Sequence, residues 1–247
     1  MSKESKLLII AGFDPSGGAG IVADLATIHK LGGKAAVVIT TITIQNSEKY
    51  KTTMPLPAEK ITGQLEAIYE EFRISGVKIG MLGSRANAVA VAEFLEKCNP
   101  PQTVLDPIYK SSTGTVLNDE ETIKVMKSRM FPHVTVITPN MDEALHLADM
   151  TGENPAPAKV ATYLYDKFGL KAVIITGNES KESKFDLVYD GDNANILQSK
   201  KIKVKDLHGT GCRYSSALAY YLSKGIFLNE SALLAKDYIL DYLNGVR

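Results

Sequence analysis

The segment KLLIIAGFDPSGGAGIVADLATIHKLGGKAAVVITTITIQN, residues 6–46, carries two periodicities around one glycine-rich loop. Leu7–Ala11 is a short unbroken apolar run, and Ala35–Ile44 is a longer one rich in Val, Ile and Thr. Runs without polar alternation predict strands covered on both faces. Between them Ile21, Leu25 and Ile28 recur at helical spacing, which predicts a helix over Ile21–Leu31 stopped by Gly32-Gly33. Strand, helix and strand in this order make a parallel βαβ unit.

The alternation continues outward. Val77–Met81, Thr103–Leu105, Val134–Ile137 and Lys171–Ile175 read as further strands. Ala58–Phe72, Ala86–Lys97, Asp119–Met130, Met141–Asp149 and Ala156–Phe168 read as helices. Phe185–Asp190 and Ile196–Val204, separated by GDNAN, predict an added β-hairpin, and helices over about Gly211–Lys224 and Glu230–Leu243 close the chain. No repeat, low-complexity tract or linker interrupts the pattern. The expectation is an α/β fold over residues 1–247 as one domain, with helices on both faces of a mostly parallel sheet.

Composition narrows the function. The 247 residues hold 28 Lys and Arg against 28 Asp and Glu, and this zero balance argues against a mainly electrostatic grip on nucleic acid or an anionic membrane. Two cysteines, Cys98 and Cys212, are no disulfide framework. No apolar run reaches the roughly 18 residues that a membrane span needs. A cytoplasmic protein acting on small molecules is expected.

Ligands of such sheets bind beyond the carboxyl ends of the strands, so the loops leaving the strands are where chemistry is sought. Ala11–Asp24, AGFDPSGGAGIVAD, fits neither a P-loop nor a dinucleotide fingerprint: no Lys-Ser/Thr follows its glycines, and no acid stands about 20 residues on. Its glycines predict close approach of backbone N–H groups to a ligand. His208-Gly209-Thr210-Gly211 leads directly into a helix, a pattern that makes an anion site. Cys212 falls in that helix's first turn, where the field predicts a lowered thiol pKa and a role as base or nucleophile; a small packed cysteine is the plainer alternative.

Thr138-Pro139-Asn140 ends a strand before Asp142 and Glu143. Capping explains these acids, and so do oxygen ligands for Mg2+ with nucleotide phosphate. Gln45 and Asp106 stand at two further strand ends, the first suited to a heteroaromatic edge and the second to a cation. The four His residues have no zinc spacing.

Taken together, AGFDPSGGAGIVADL, TIQN at 43–46, KIGMLGS at 78–84, LDP at 105–107, TPNMDEA at 138–144 and HGTGC at 208–212 resemble the hydroxymethylpyrimidine/phosphomethylpyrimidine kinases of thiamine biosynthesis. These belong to the ribokinase-like superfamily. The resemblance implies a three-layer αβα fold, ATP with Mg2+, and a homodimer. It implies phosphorylation of 4-amino-5-hydroxymethyl-2-methylpyrimidine and then of the monophosphate, with pyridoxal as the alternative acceptor. By the same carry-over Gln45 binds the pyrimidine edge, Gly12, Met81 and Ile108 line its pocket, and Asp24 is the substrate-side acid. Gly209, Thr210 and Gly211 form the anion hole and Cys212 is the base. Asp106, Asn140, Glu143 and Thr176 face the nucleotide and its Mg2+, with no dedicated protein metal site. Two positions depart from the pattern: Thr176 stands where a Lys is usual, and Arg213 where a Thr is usual. Arg213 is therefore expected to replace part of the missing positive charge.

Overall fold

The computed structural model describes residues 3–46, 49–111, 114–179, 183–200 and 208–245. The opening segment forms β1 (Ser5–Phe13), α1 (Gly20–Lys30) and β2 (Ala35–Gln45). Gly32 follows α1 at φ 79°, and the N–H groups of Gly32 and Gly33 close on the carbonyls of His29 and Ile28. The chain continues through β3 (Tyr50–Pro55), α2 (Ala58–Glu71), β4 (Arg73–Ile79), α3 (Arg85–Cys98), β5 (Thr103–Leu105) and α4 (Glu120–Val125). Then come β6 (Val136–Ile137), α5 (Met141–Leu147), α6 (Pro157–Phe168), β7 (Val173–Glu179), β8 (Ser183–Tyr189), β9 (Ala194–Lys200), α7 (Thr210–Ser223) and α8 (Leu228–Leu243).

Two elements differ from the sequence reading. β3 carries no apolar pattern, because it pairs only with β2 at the outer edge of the sheet and leaves Lys51, Thr52 and Met54 largely in solvent. The helix expected over Asp119–Met130 is regular only to Val125; Met126–Met130 widens into a π turn and Phe131–His133 tightens into a 3-10 turn. The predicted hairpin is β8–β9, with Asp190 accepting the N–H groups of Asp192 and Asn193 in its turn. Its expected continuation through residues 201–204 lies outside the described residues.

One nine-stranded sheet runs in the order β3-β2-β1-β4-β5-β6-β7-β8-β9. Pairing is parallel from β2 to β7 and antiparallel at both edges. One apolar core lies between the sheet and α2, α3, α4, α5 and α6; the other lies between it and α1, α7 and α8. This is a three-layer αβα arrangement. α1 and α2 leave the central strands on opposite faces, so the chain reverses direction across the sheet between β1 and β4. Such a switch point opens a crevice at the strands' carboxyl ends.

Candidate active site

A cleft of about 520 Å3 occupies that crevice and reaches from the end of β2 to the start of β8. Gly12, Gln45, Met81 and Ile108 line one part of it. Gly12 is fixed by contact: a Cβ there would come 2.9 Å from Thr41 Cγ2 and 3.2 Å from Met81 Sδ. Gly209, Thr210, Gly211 and Cys212 line the middle. Gly209 caps α7 at φ 74° with no side-chain cap, so the helix turns its positive N-terminal end to the cleft, as an anion site does. His208 begins the described part of this loop; Asp206 and Leu207 lie outside the described residues.

The first glycine-rich loop behaves differently from the sequence expectation. Its N–H groups are spent within the protein. Asp14 accepts from the Ser16 N–H and hydroxyl at 2.8 and 2.7 Å and from the Ala19 N–H at 2.9 Å. The Gly17 N–H bonds to the Asp14 carbonyl, and the Gly20 N–H is directed at the Cys212 sulfur. The glycines are required instead by close packing of the two loops. A Cβ on Gly18 would overlap the His208 ring, one on Gly209 would overlap the Gly18 carbonyl, and one on Gly20 would overlap the Gly12 carbonyl. His208 Nε2 lies 3.2 Å from Asp14 Oδ2 and ties the loops together. Burial pushes the Asp14 carboxyl up, but the Ser16 donors, His208 and the Ala19 N–H outweigh it and hold it below its ordinary value.

Beneath the middle of the cleft lie buried charges. Lys78 Nζ meets both carboxylate oxygens of Asp24, at 3.0 and 2.9 Å, and Ser216 Oγ donates to the same carboxylate at 2.8 Å. Burial lowers the Lys78 ammonium, but Asp24, with Cys212 and Asp106 beyond it, holds it above its ordinary value and charged. Cys212 is half-buried at the cleft floor. Burial pushes its thiol up to about 12; Lys78 and the Gly20 N–H oppose this, and Asp24 and Asp106 add to it. The lowered pKa expected from the helix terminus is therefore not found in the empty cleft.

Two carboxylates face the cleft from the other side. Burial raises Asp106 to about 6, against Lys78 and with Asp24 adding to the rise. Burial, and then the charge of Asp106, pushes Glu143 up to about 8. Glu143 accepts the Asn140 N–H at 3.0 Å, and Asn140 Oδ1 accepts the Glu143 N–H at 2.9 Å, so a capping box holds the start of α5. Glu143 also accepts the Tyr109 N–H at 3.3 Å and so ties down the loop that carries Ile108. His146 stacks on Tyr109 with ring centroids 3.9 Å apart.

At the far end Thr176 and Gly177, at the irregularity in the β7–β8 pairing, line the cleft with Asp186 and Lys236 and with Ile239, Leu240 and Leu243 of α8. Lys236 Nζ lies 2.8 Å from Asp186 Oδ2, and Asp186 Oδ1 accepts the Gly177 N–H at 2.8 Å.

A model of the family described as phosphomethylpyrimidine kinase matches residues 14–245. The chain belongs to this family. It is 37% identical over 235 residues to a hydroxymethylpyrimidine/phosphomethylpyrimidine kinase of Aquifex aeolicus, covering 95% of this chain and 92% of that one. A phosphomethylpyrimidine kinase structure from Clostridium difficile superposes with a TM-score of 0.82 at 31% identity, over 97% of this chain and 99% of that chain. A pyridoxal kinase from Staphylococcus aureus in complex with ADP superposes with a TM-score of 0.87 at 30% identity, over 98% of this chain and 89% of that chain.

Two of the residues expected at the site do not line the cleft. Asp24 is completely buried and spent on Lys78 and Ser216, so it supports the floor and does not reach a substrate. Arg213 lies one position past Cys212, about 100° round the helix. Its guanidinium is buried over the Tyr242 ring at 4.4 Å and donates to the Ala23 carbonyl at 3.4 Å. Among the described residues, the lysines that do line the cleft are Lys78, Lys110, Lys184 and Lys236. Sequence reading passed over all four. Lys78 alone left a signal, a charge set inside the apolar run Val77–Met81.

Proposed function

We propose that this protein transfers the γ-phosphoryl group of ATP to the hydroxymethyl oxygen of 4-amino-5-hydroxymethyl-2-methylpyrimidine and then phosphorylates the monophosphate, in the cytoplasm. The observation that carries the reading is the convergence of three groups on one cleft: Gln45 with Met81, the Gly209–Gly211 backbone at a helix N-terminus, and the half-buried Cys212.

Gln45 presents a carboxamide that can both donate to and accept from a pyrimidine edge. Met81, Ile108 and the Gly12 backbone shape an apolar slot beside it. The Gly209–Gly211 N–H groups hold the transferring phosphoryl oxygens in a preformed anion hole. The acceptor O–P bond forms as the bond from ATP's β-γ bridging oxygen breaks and ADP leaves. Cys212 first gives its own proton to water; the thiolate then takes the acceptor's hydroxyl proton as the O–P bond forms, which restores the thiol. Such transfer needs positioning and charge neutralisation more than a strong base.

Mg2+ fits this cleft as a companion of ATP. Among the described residues no cluster of three or more His, Cys, Asp or Glu could hold a metal ion alone, but the charge of Asp106 raises the cost of ionising Glu143. A divalent cation carried in with the phosphates would relieve that repulsion, with Asn140 beside them. Thr176, which lines the same cleft, would face the nucleotide.

A coupled ADP-release assay tests the reading. Turnover with the hydroxymethylpyrimidine, and with its monophosphate, is expected at saturating MgATP. Turnover with pyridoxal alone would instead support a pyridoxal kinase, the reading favoured by the 0.87 TM-score against the staphylococcal enzyme. Binding of the pyrimidine with no ADP release from any acceptor would make this a non-catalytic binding homologue. A homodimer is proposed as well. Ile44 and Met54 share one face of the β2–β3 ribbon and are 54% and 57% exposed at the sheet edge, a surface that a second copy would cover. Light scattering of the wild type and of Met54→Glu would test it, a monomer in the first being the adverse result.

A further inference from the structure

Lys78 stands in the middle of a central strand, between Val77 and Ile79, which are both fully buried. Its own side chain is completely buried on the opposite face and still borders the cleft. A Cβ at Gly80 would come 2.9 Å from Lys78 Nζ, so that glycine keeps the ammonium's space open. A buried ion pair is a poor device for stability, because desolvating both charges offsets most of their attraction. An apolar side chain would suit this strand better on packing grounds alone.

The pair is docked to the helix that carries the thiol. Cys212, Ser215 and Ser216 stand at i, i+3 and i+4 on α7 and share one face. Ser216 Oγ donates to Asp24 at 2.8 Å, and Ser215 Oγ donates to Asp106 at 3.2 Å. The charged groups that act on Cys212 are Lys78 from β4, Asp24 from α1 and Asp106 from the loop after β5, with the Gly20 N–H aimed at the sulfur. Lys78 is the cation of that set. The other nearby cation, Arg213, points away and acts on Asp24.

We propose that Lys78 is a positioning residue: held by Asp24 beneath the cleft floor, its ammonium sets how readily Cys212 gives up its own proton, and so its readiness to take one from an acceptor hydroxyl. Only the kinetic consequence rests on the base role proposed above; the charge relation stands apart from it.

The test is the rate of Cys212 alkylation by iodoacetamide across pH 7–11, read by mass spectrometry on the Cys212 peptide so that Cys98 does not interfere. Lys78→Met with Asp24→Asn removes both charges together and leaves no unpaired ion. Lys78 acts on the thiol more strongly than Asp24 and in the opposite sense, so the double variant's alkylation profile is expected to move up by the difference, about half a pH unit, which is about threefold slower at a fixed pH. Its kcat profile should move the same way while the KM values for ATP and pyrimidine stay within about twofold. Ser216→Ala, a milder change, takes a donor from Asp24, strengthens the negative field at the thiol and should slow alkylation about two- to threefold. Val77→Ala loosens the same strand without touching a charge and should leave the profile in place. A double-variant profile that overlies the wild type overturns the proposal, as does faster alkylation in Ser216→Ala or an equal shift in Val77→Ala. If the profiles move as expected and Cys212→Ala still turns over normally, the charge relation holds and the base role fails.

Discussion

Beneath the middle of the cleft Lys78 and Asp24 pair at 2.9 Å with both side chains fully buried; at its far end Lys236 and Asp186 pair at 2.8 Å with 8% of each exposed. Distance does not separate them, but their surroundings do. Around Lys78 stand Asp106 and a thiol, so its charge is felt by groups that face the reaction. Around Lys236 stand Ile239, Leu240 and Leu243, and Asp186 spends its second oxygen on the Gly177 N–H. The first pair acts through its field. The second braces a strand end and shapes a pocket wall. An ion pair's role is thus read from what its outer atoms touch.

If the reacting end works as described, Cys212→Ala is the change that shows it most. It should lower kcat by about 10²–10⁴-fold while leaving the pyrimidine KM near the wild-type value. Because the thiol is pushed up to about 12, wild-type kcat should also climb with pH above neutrality, and the alanine variant should lose that climb. A kcat within threefold of wild type would end the base assignment.

The second contrast is between a glycine in the middle of the cleft and one at its far end. Gly209 and Gly177 both have positive φ, 74° and 69°. A Cβ on Gly209 would overlap the Gly18 carbonyl, whereas nothing lies within 4 Å of one on Gly177. Gly209→Ala should therefore destabilise by about 2–4 kcal/mol, from left-handed strain plus overpacking, and Gly177→Ala by about 1–2 kcal/mol from strain alone. Urea denaturation of the two variants measures the difference. Equal losses would mean that the loops part easily and that the interlocking at the reacting end carries little.

That interlocking also shows what could be read in advance. Leu7–Ala11, Ala35–Ile44 and the helix between them were legible because burial on both faces leaves no polar position in the strands. β3 was not, since an edge strand facing water needs no apolar residue and Lys51, Thr52 and Thr53 look like loop. The site's loops were legible as glycine-rich turns after strands. The reason for their glycines was not, because His208 and Gly18 are almost two hundred residues apart and only the fold brings them together. The thiol's pKa was misjudged for a similar cause. A helix N-terminus is visible in sequence, but the burial and the two carboxylates that oppose it come from other elements.

The far side of the cleft gives a smaller effect, set by pH. Burial and Asp106 raise Glu143 from 4.5 to about 8, so the folded protein holds a proton that the unfolded chain releases. A raised folded pKa contributes stability that is fully present below about 4.5 and is lost as pH rises through about 8. The unliganded protein's Tm should fall between pH 6 and pH 9 by an amount worth about 2–3 kcal/mol, and Glu143→Gln should flatten the slope. MgATP should flatten it too, because a cation beside Asp106 and Glu143 favours their ionised forms. A slope unchanged in Glu143→Gln would assign the titration elsewhere.

The smallest effect is expected where the sequence promised a large one. Arg213 is adjacent to Cys212 in the chain and on the wrong side of the helix for the cleft, with its guanidinium over Tyr242 and against the Ala23 carbonyl. Arg213→Ala should leave kcat and the ATP KM within about twofold of wild type. It should cost about 1–2 kcal/mol of stability, since a desolvated cation–π contact and its packing are lost. A rise of tenfold or more in the ATP KM would mean that the helix turns when nucleotide binds. The charge near the phosphates would then come from Arg213 after all.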